Sequence, residues 1–119
     1  MGTMRRVDPS LLRVGVFEID VEGGTLRKAG VQVKLRQQPF MVLSFLAARP
    51  GRVVTRDELR ERVWGDDTYV DFDQGLNYCI KEIRAALGDS AETPLYVETL
   101  PRRGYRFIAP VEPVAEVPA

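Results

Sequence analysis

The chain has 119 residues, 45% of them hydrophobic and 29% charged, and its 17 basic residues balance its 17 acidic residues. This length suits one domain with a single modest core. Histidine is absent and Cys79 is the single cysteine, which excludes an internal disulfide, a cysteine-based zinc site and histidine-dependent catalysis. No apolar run approaches the roughly 18 residues that cross a bilayer, so we expect a cytoplasmic protein.

The two ends of the chain differ in composition from its centre. Residues 1–12 predict a flexible lead-in, and residues 110–119, PVEPVAEVPA, alternate proline with small and acidic residues. Such a tail favours neither a helix nor a central strand, so we interpret it as a linker. The folded domain is therefore expected to span residues 13–109.

The first part of this domain predicts a sheet followed by two helices. Alternating apolar residues at about 14–35, interrupted by two glycine-containing turns, indicate a small antiparallel sheet. A first helix follows, with Pro39 in its first turn. Thr55 and Glu58 have the spacing of a capping box, which predicts a second helix that ends near Trp64, a core residue.

Residues 71–87 predict the third helix. Asp71 and Gln74 have capping-box spacing, and Gly88 is expected to end the helix. The apolar spine of this helix consists of Leu76, Ile80, Ile83 and Leu87. Two strands follow, residues 96–100 and 105–109, joined by the sequence PRRG, in which the glycine is expected to form the turn.

This order of elements predicts an α+β fold, a winged helix-turn-helix with an N-terminal antiparallel sheet, three helices and a C-terminal β-hairpin wing. In such a fold the third helix, residues 71–87, enters the major groove of DNA, and the wing, residues 96–109, lies on the backbone or minor groove. Arg102 and Arg103 at the wing tip then meet phosphates or a narrow groove, which explains two adjacent cations in a turn.

One side of the third helix carries polar side chains opposite the apolar spine. Amides and cations can contact base edges or phosphates, and a tyrosine hydroxyl suits phosphate. The candidate DNA contacts on this helix are Gln74, Asn77, Tyr78, Lys81 and Arg84. The alternative is a helix side that is simply solvated. Cys79 lies at the edge of the spine and is interpreted as a small packed residue.

The local charges of the third helix and of the wing have opposite signs, so the helix disfavours DNA binding and the wing favours it. Residues 71–88 hold two basic and three acidic residues, net −1, whereas residues 98–107 hold three basic and one acidic residue, net +2. Asp71 and Asp73 suit the positive end of a helix dipole. Glu82 has no cation three or four residues away, which leaves contact with a cytosine amino group or tolerated repulsion from phosphate.

Three sequence blocks, RPGRVVTRDELRERVWG, LNYCIKEIRAALGD and YVETLPRRGYRF, resemble the effector domain of OmpR/PhoB-type transcription factors, and most of all the CadC-like subgroup. The resemblance implies a four-stranded N-terminal sheet and sequence-specific binding to duplex DNA, usually as tandem copies on direct repeats. It also implies contact of the loop at residues 65–70 with RNA polymerase. A CadC-like arrangement implies a sensor or membrane-anchored portion after the tail.

Carried over by position, the resemblance implies DNA contacts by Lys81, Arg84 and Thr99. Three positions depart from the family pattern. Glu82 and Gln74 stand where many relatives have arginine, and Pro101 replaces a common wing arginine, with Arg102 and Arg103 displaced toward the turn.

These observations favour the DNA-binding domain of a bacterial transcriptional regulator, which acts on duplex DNA without a cofactor, a metal or a small-molecule substrate. The alternative hypothesis is a winged helix used for protein contact, with DNA binding weakened or lost. An enzyme is not predicted, because the sequence offers no nucleophile paired with a base and no phosphate-binding glycine loop.

Overall fold

Eight strands and three helices form residues 11–65 and 71–114, the part of the chain that a computed structural model describes. In chain order the elements are β1 (Leu11–Val14), β2 (Phe17–Asp20), β3 (Thr25–Lys28), β4 (Val31–Val33), α1 (Gln37–Ala47), β5 (Val53–Thr55), α2 (Arg56–Leu59, continued by a π-helical turn over Arg60–Trp64), α3 (Phe72–Leu87), β6 (Val97–Leu100), β7 (Gly104–Phe107) and β8 (Glu112–Pro113). This is the order of the predicted α+β winged helix-turn-helix.

The N-terminal sheet is antiparallel and five-stranded, in the order β4-β3-β2-β1-β8. It extends beyond the expected limits of residues 13–109, because β1 begins at Leu11 and β8 pairs with it, Leu12 opposite Pro113. Proline is tolerated in β8 because this strand lies at the sheet edge, where its missing N–H costs no ladder bond. The sequence of residues 110–119 was expected to form no central strand, and β8 within it is an edge strand.

The second sheet is three-stranded, in the order β5-β7-β6, and joins the wing to the start of α2. Strand β5 was not predicted, because three residues give too short a pattern. Gly104 lies opposite Thr55 with a φ of +145°, and a side chain there would collide with the carbonyl oxygen of Val54. The expected role of this glycine in the turn is therefore wrong, because its task is to allow close approach of β5.

The core lies between the N-terminal sheet, the helices and the inner side of the wing. Alternate residues of β1 and β2 point inward, and α1 packs against α3. Trp64 is buried with its ring at the edge of the Phe72 ring, 5.0 Å between centroids, and Cys79 is buried in the spine of α3. Burial, with a smaller effect of Glu82, raises the pKa of Cys79 to about 11, as expected for a packed thiol.

The helix ends follow the sequence signals closely. Thr55 and Glu58 form both hydrogen bonds of the predicted capping box. At α3 only one half forms, since the Asp71 carboxylate accepts the N–H of Gln74 at 3.4 Å, while Asp71 receives no described bond from the Gln74 side chain. Gly88 ends α3 in the left-handed conformation, with a φ of +70°.

Asp89 organises the connection between α3 and the wing. Its carboxylate accepts backbone hydrogen bonds from Leu95 at 2.7 Å, Tyr96 at 3.2 Å and Val97 at 2.9 Å. Burial alone would raise the pKa of this carboxyl, but the N–H groups outweigh burial and hold the pKa below its ordinary value. The carboxylate thus fixes where β6 begins relative to the end of α3.

Replacing Asp89 with asparagine is expected to lower the free energy of unfolding at pH 7 by roughly 1.5–3 kcal/mol, because the amide offers one acceptor where the carboxylate offers two charged ones. Since the folded pKa is depressed, this stabilisation is present above the unfolded pKa of about 3.9 and is lost as pH falls through the folded pKa. Urea denaturation of both proteins between pH 7 and pH 3 measures the effect. If the difference in unfolding free energy between the two proteins does not become smaller in acid, the role assigned to the Asp89 carboxylate is contradicted.

Candidate nucleic-acid interface

The exposed side of α3 carries four of the predicted DNA contacts. Gln74, Asn77, Tyr78 and Lys81 are exposed, while the spine on the opposite side is buried. This division follows from helical periodicity, since the polar residues recur at three- and four-residue intervals opposite the apolar ones. The structure therefore presents these side chains together on one accessible side of one helix.

A groove separates this side of α3 from the wing. Asn77 and Lys81 line it from the helix, Thr99 and Tyr105 line it from the wing, and Arg84 lies between them. In duplex DNA the phosphate backbone separates the major from the minor groove. A helix in the major groove and a wing at the minor groove therefore have one stretch of the DNA backbone between them. The groove between α3 and the wing lies opposite that stretch.

Arg84 connects the two walls of the groove. Its Nη2 donates to the carbonyl oxygen of Val97 and to the Thr99 hydroxyl, both at 2.9 Å. The side chain is half-buried, and its Nε is buried without a partner among the described residues. The structure thus brings together two predicted contacts, Arg84 and Thr99, and gives the arginine a positioning role between helix and wing.

The wing tip is a tight turn closed by a 2.9 Å hydrogen bond from the N–H of Arg103 to the carbonyl of Leu100. Pro101 takes the second position of the turn, and Arg102 takes the third with a φ of +67°, a conformation in which glycine or asparagine is usual. Arg102 and Arg103 are exposed and form no salt bridge within the described part of the chain. Both are therefore free to contact phosphate.

Several acidic residues near the interface are engaged locally. Glu98 holds Arg106 through hydrogen bonds of 2.7 and 2.9 Å, so the net charge of +2 on the wing belongs to Arg102 and Arg103. On α3, Asp71 caps the helix and Asp73 binds Arg56 at 2.7 Å. The linear charge count of this helix, net −1, therefore understates how positive the interface is.

Glu82 lies on the side of α3 that borders the N-terminal sheet. It is half-buried and lines a groove formed with β3, β4 and the residues after β4, among them Lys34 and Arg36. Spacing within α3 offered Glu82 no cation, yet two cations from another element line the same groove. The cations nearest to Glu82 in the sequence of α3 are therefore not the ones that share its groove.

Arg56 is a residue of this surface that sequence reasoning missed. It donates to Asp73 and, at 3.4 Å, to the hydroxyl of Tyr105, so it joins the start of α2 to α3 and to the wing. The bond to Asp73 raises the pKa of the guanidinium above its ordinary value. With Thr55 and Asp57 it lines a depression that Arg102 and Arg103 close from the wing side.

Within residues 11–65 and 71–114, no group of acidic and cysteine side chains is placed to hold a metal ion, and no helix has the length and apolarity to cross a membrane. Of the loop at residues 65–70, expected to contact RNA polymerase, only Gly65 lies within the described residues.

Residues 30–107 match the family described as "Transcriptional regulatory protein, C terminal". The chain belongs to this OmpR/PhoB-type family. It is similar to the cholera toxin homolog transcriptional activator of Vibrio parahaemolyticus, 40% identical over 112 residues that cover 92% of this chain and 38% of that protein. The chain spans less than half the length of three curated relatives that it matches, namely 29%, 38% and 46%.

Solved structures of the OmpR/PhoB type confirm the winged-helix fold. The DNA-binding domain of Escherichia coli CadC has a TM-score of 0.71 and 28% identity, covering 92% of this chain and 99% of that domain. The RstA DNA-binding domain of Klebsiella pneumoniae, solved in complex with the RstA box, also has a TM-score of 0.71 and 28% identity, covering 82% of this chain and 96% of that chain.

The left-handed conformation of Arg102 generates a stability prediction. Arg102→Gly is expected to raise the free energy of unfolding by about 0.5–1 kcal/mol, because glycine adopts a positive φ without steric cost. Arg103→Gly is the matched control: it removes the same charge from the neighbouring turn position, whose φ is not positive, and should give no gain. Chemical denaturation of the three proteins measures both effects, and equal shifts for the two variants would contradict the prediction.

Proposed function

We propose that this domain binds duplex DNA sequence-specifically as the DNA-binding domain of a bacterial transcriptional regulator. The observation that carries the proposal is the groove between α3 and the wing, which is lined by Lys81, Arg84 and Thr99. The wing tip beside it exposes Arg102 and Arg103, which form no salt bridge with the described residues. In this arrangement α3 enters the major groove and the wing lies on the backbone or in the minor groove. Membership of the OmpR/PhoB-type family supports it.

The side chains divide by chemistry into those that specify sequence and those that position the domain. Asn77 and Lys81, on the exposed side of α3, can donate to base edges. Hydroxyl and cationic groups positioned for phosphate supply affinity without sequence information. The proposed phosphate contacts are Tyr78, Thr99, Arg102 and Arg103, and Gln74 at the start of α3 suits either role.

Three broader features are proposals for the whole regulator. They are tandem binding on direct repeats, contact of residues 65–70 with RNA polymerase, and action in the cytoplasm, where a membrane-anchored regulator would hold such a domain. The support is similarity to regulators whose length this chain covers only in part.

Selection of bound duplexes from a random pool at low salt tests the proposed function. We expect an enriched sequence motif, and enrichment of none would favour the protein-contact hypothesis. Lys81→Ala should then cost roughly 1–3 kcal/mol and relax preference at one motif position, if Lys81 contacts a base. A uniform loss across sequences would assign Lys81 to phosphate.

The wing arginines should act through counterion release. Replacing both Arg102 and Arg103 with alanine is expected to weaken binding to all duplexes and to lower the slope of log affinity against log salt by up to about two units. The control replaces Arg13 and Arg27 of the N-terminal sheet, which removes the same charge outside the proposed interface. An unchanged slope in the wing variant would exclude the wing from DNA contact.

A further inference from the structure

A carboxylate on the proposed DNA-binding helix requires an explanation. Asp73 lies in the first turn of α3, next to Gln74, and its side chain is 73% exposed. If α3 enters the major groove, a negative charge at this position lies near phosphates and opposes binding. Only three of the proposed DNA contacts, Lys81, Arg102 and Arg103, are exposed cations, so one opposing charge matters.

The partner of Asp73 comes from another element of the same surface. The Arg56 side chain is 33% exposed, and its guanidinium lies 2.7 Å from the Asp73 carboxylate, 3.4 Å from the Tyr105 hydroxyl and 5.8 Å from the Phe72 ring centroid. Arg56 also lines the depression beside Arg102 and Arg103. A cation at the junction of α2, α3 and the wing is placed where the wing arginines are proposed to meet phosphate.

We propose that Arg56 and Asp73 form a neutral pair inside the DNA interface, in which Asp73 limits affinity by withholding one cation from phosphate. The inference rests on the proposed function and deepens it, because it assigns affinity control to two residues outside the predicted contacts. Without Asp73, Arg56 becomes a third free cation beside Arg102 and Arg103. Without Arg56, Asp73 becomes an uncompensated anion facing DNA.

The pair can be broken at Asp73 with little effect on folding. An ion pair with an exposed partner such as Asp73 is worth at most about 1 kcal/mol, and Arg56 keeps its bond to Tyr105 when Asp73 is replaced. One added or removed phosphate contact, in contrast, changes the salt slope by about 0.9. Between 50 and 200 mM salt, a fourfold interval, that slope corresponds to an affinity ratio of about 3.5.

The test measures the affinity of four proteins for one random-sequence duplex at 50 and 200 mM salt. The proteins are the wild type, Asp73→Asn, Arg56→Gln and the double variant, and circular dichroism checks that each is folded. We expect Asp73→Asn to bind more tightly than wild type and Arg56→Gln more weakly. The gain of Asp73→Asn should be about 3.5-fold larger at 50 mM than at 200 mM salt. The double variant restores neutrality and should bind like wild type.

A matched control separates local from overall charge. Glu18→Gln adds the same charge to the chain and frees Arg13 from an ion pair of 3.6 Å in the N-terminal sheet. Its affinity should stay within about twofold of wild type, since screening over about 10 Å weakens charges outside the interface. An equal gain in this control would overturn the proposal, because overall charge would then explain the effect.

The remaining outcomes also decide the matter. If wild type binds DNA but neither single variant changes affinity, the pair lies outside the interface and the inference fails alone. If Arg56→Gln and the double variant are equally weak, the loss comes from removing Arg56 itself and not from an uncompensated Asp73, and the proposal is overturned. If wild type binds no duplex at either salt concentration, the proposed function fails, and the inference fails with it.

Discussion

The pairing of β5 with β7 is the contact on which the candidate interface depends. Strand β5 leads directly into α2, and β7 is half of the wing, so their ladder joins the helix pair and the wing into one surface. The ladder requires Gly104, because any side chain there would collide with the backbone of β5. The groove beside α3 and the depression at the start of α2 both exist because this pairing fixes the wing.

What the sequence predicted well was local and periodic. The 16-residue helix α3 was found from its apolar spine, its N-cap and Gly88, each of which acts within a few residues. The hairpin was found from two apolar runs around a turn. What was missed depends on contacts between distant segments: β5 and β8 are too short to show a pattern, and each forms only because another strand offers an edge.

The candidate interface was predicted only in part for the same reason, since contacts between distant segments leave no local pattern in the sequence. The exposed polar side of α3 and the wing tip could be predicted, because their residues are helically spaced in the first case and consecutive in the second. The pairing of Arg56 with Asp73 spans 17 positions, and Glu82 shares its groove with cations that precede α1. Charge counted along the sequence gave α3 a net negative value. In the structure Asp71 caps the helix, Asp73 pairs with Arg56, and Glu82 borders the N-terminal sheet. Whole-chain neutrality is therefore a poor guide to the charge that DNA would meet.

Arg84 shows why loss of binding on mutation does not by itself identify a DNA contact. One of its nitrogens already bonds the carbonyl of Val97 and the hydroxyl of Thr99, so it fixes the distance between α3 and the wing. Removing it would leave the wing free to shift relative to the helix and would weaken every contact that requires both. A lysine keeps the charge but lacks the planar set of donors, and so would not restore this geometry. Arg84 therefore couples the two halves of the proposed interface, because the same side chain holds Thr99 and Val97 of the wing against α3.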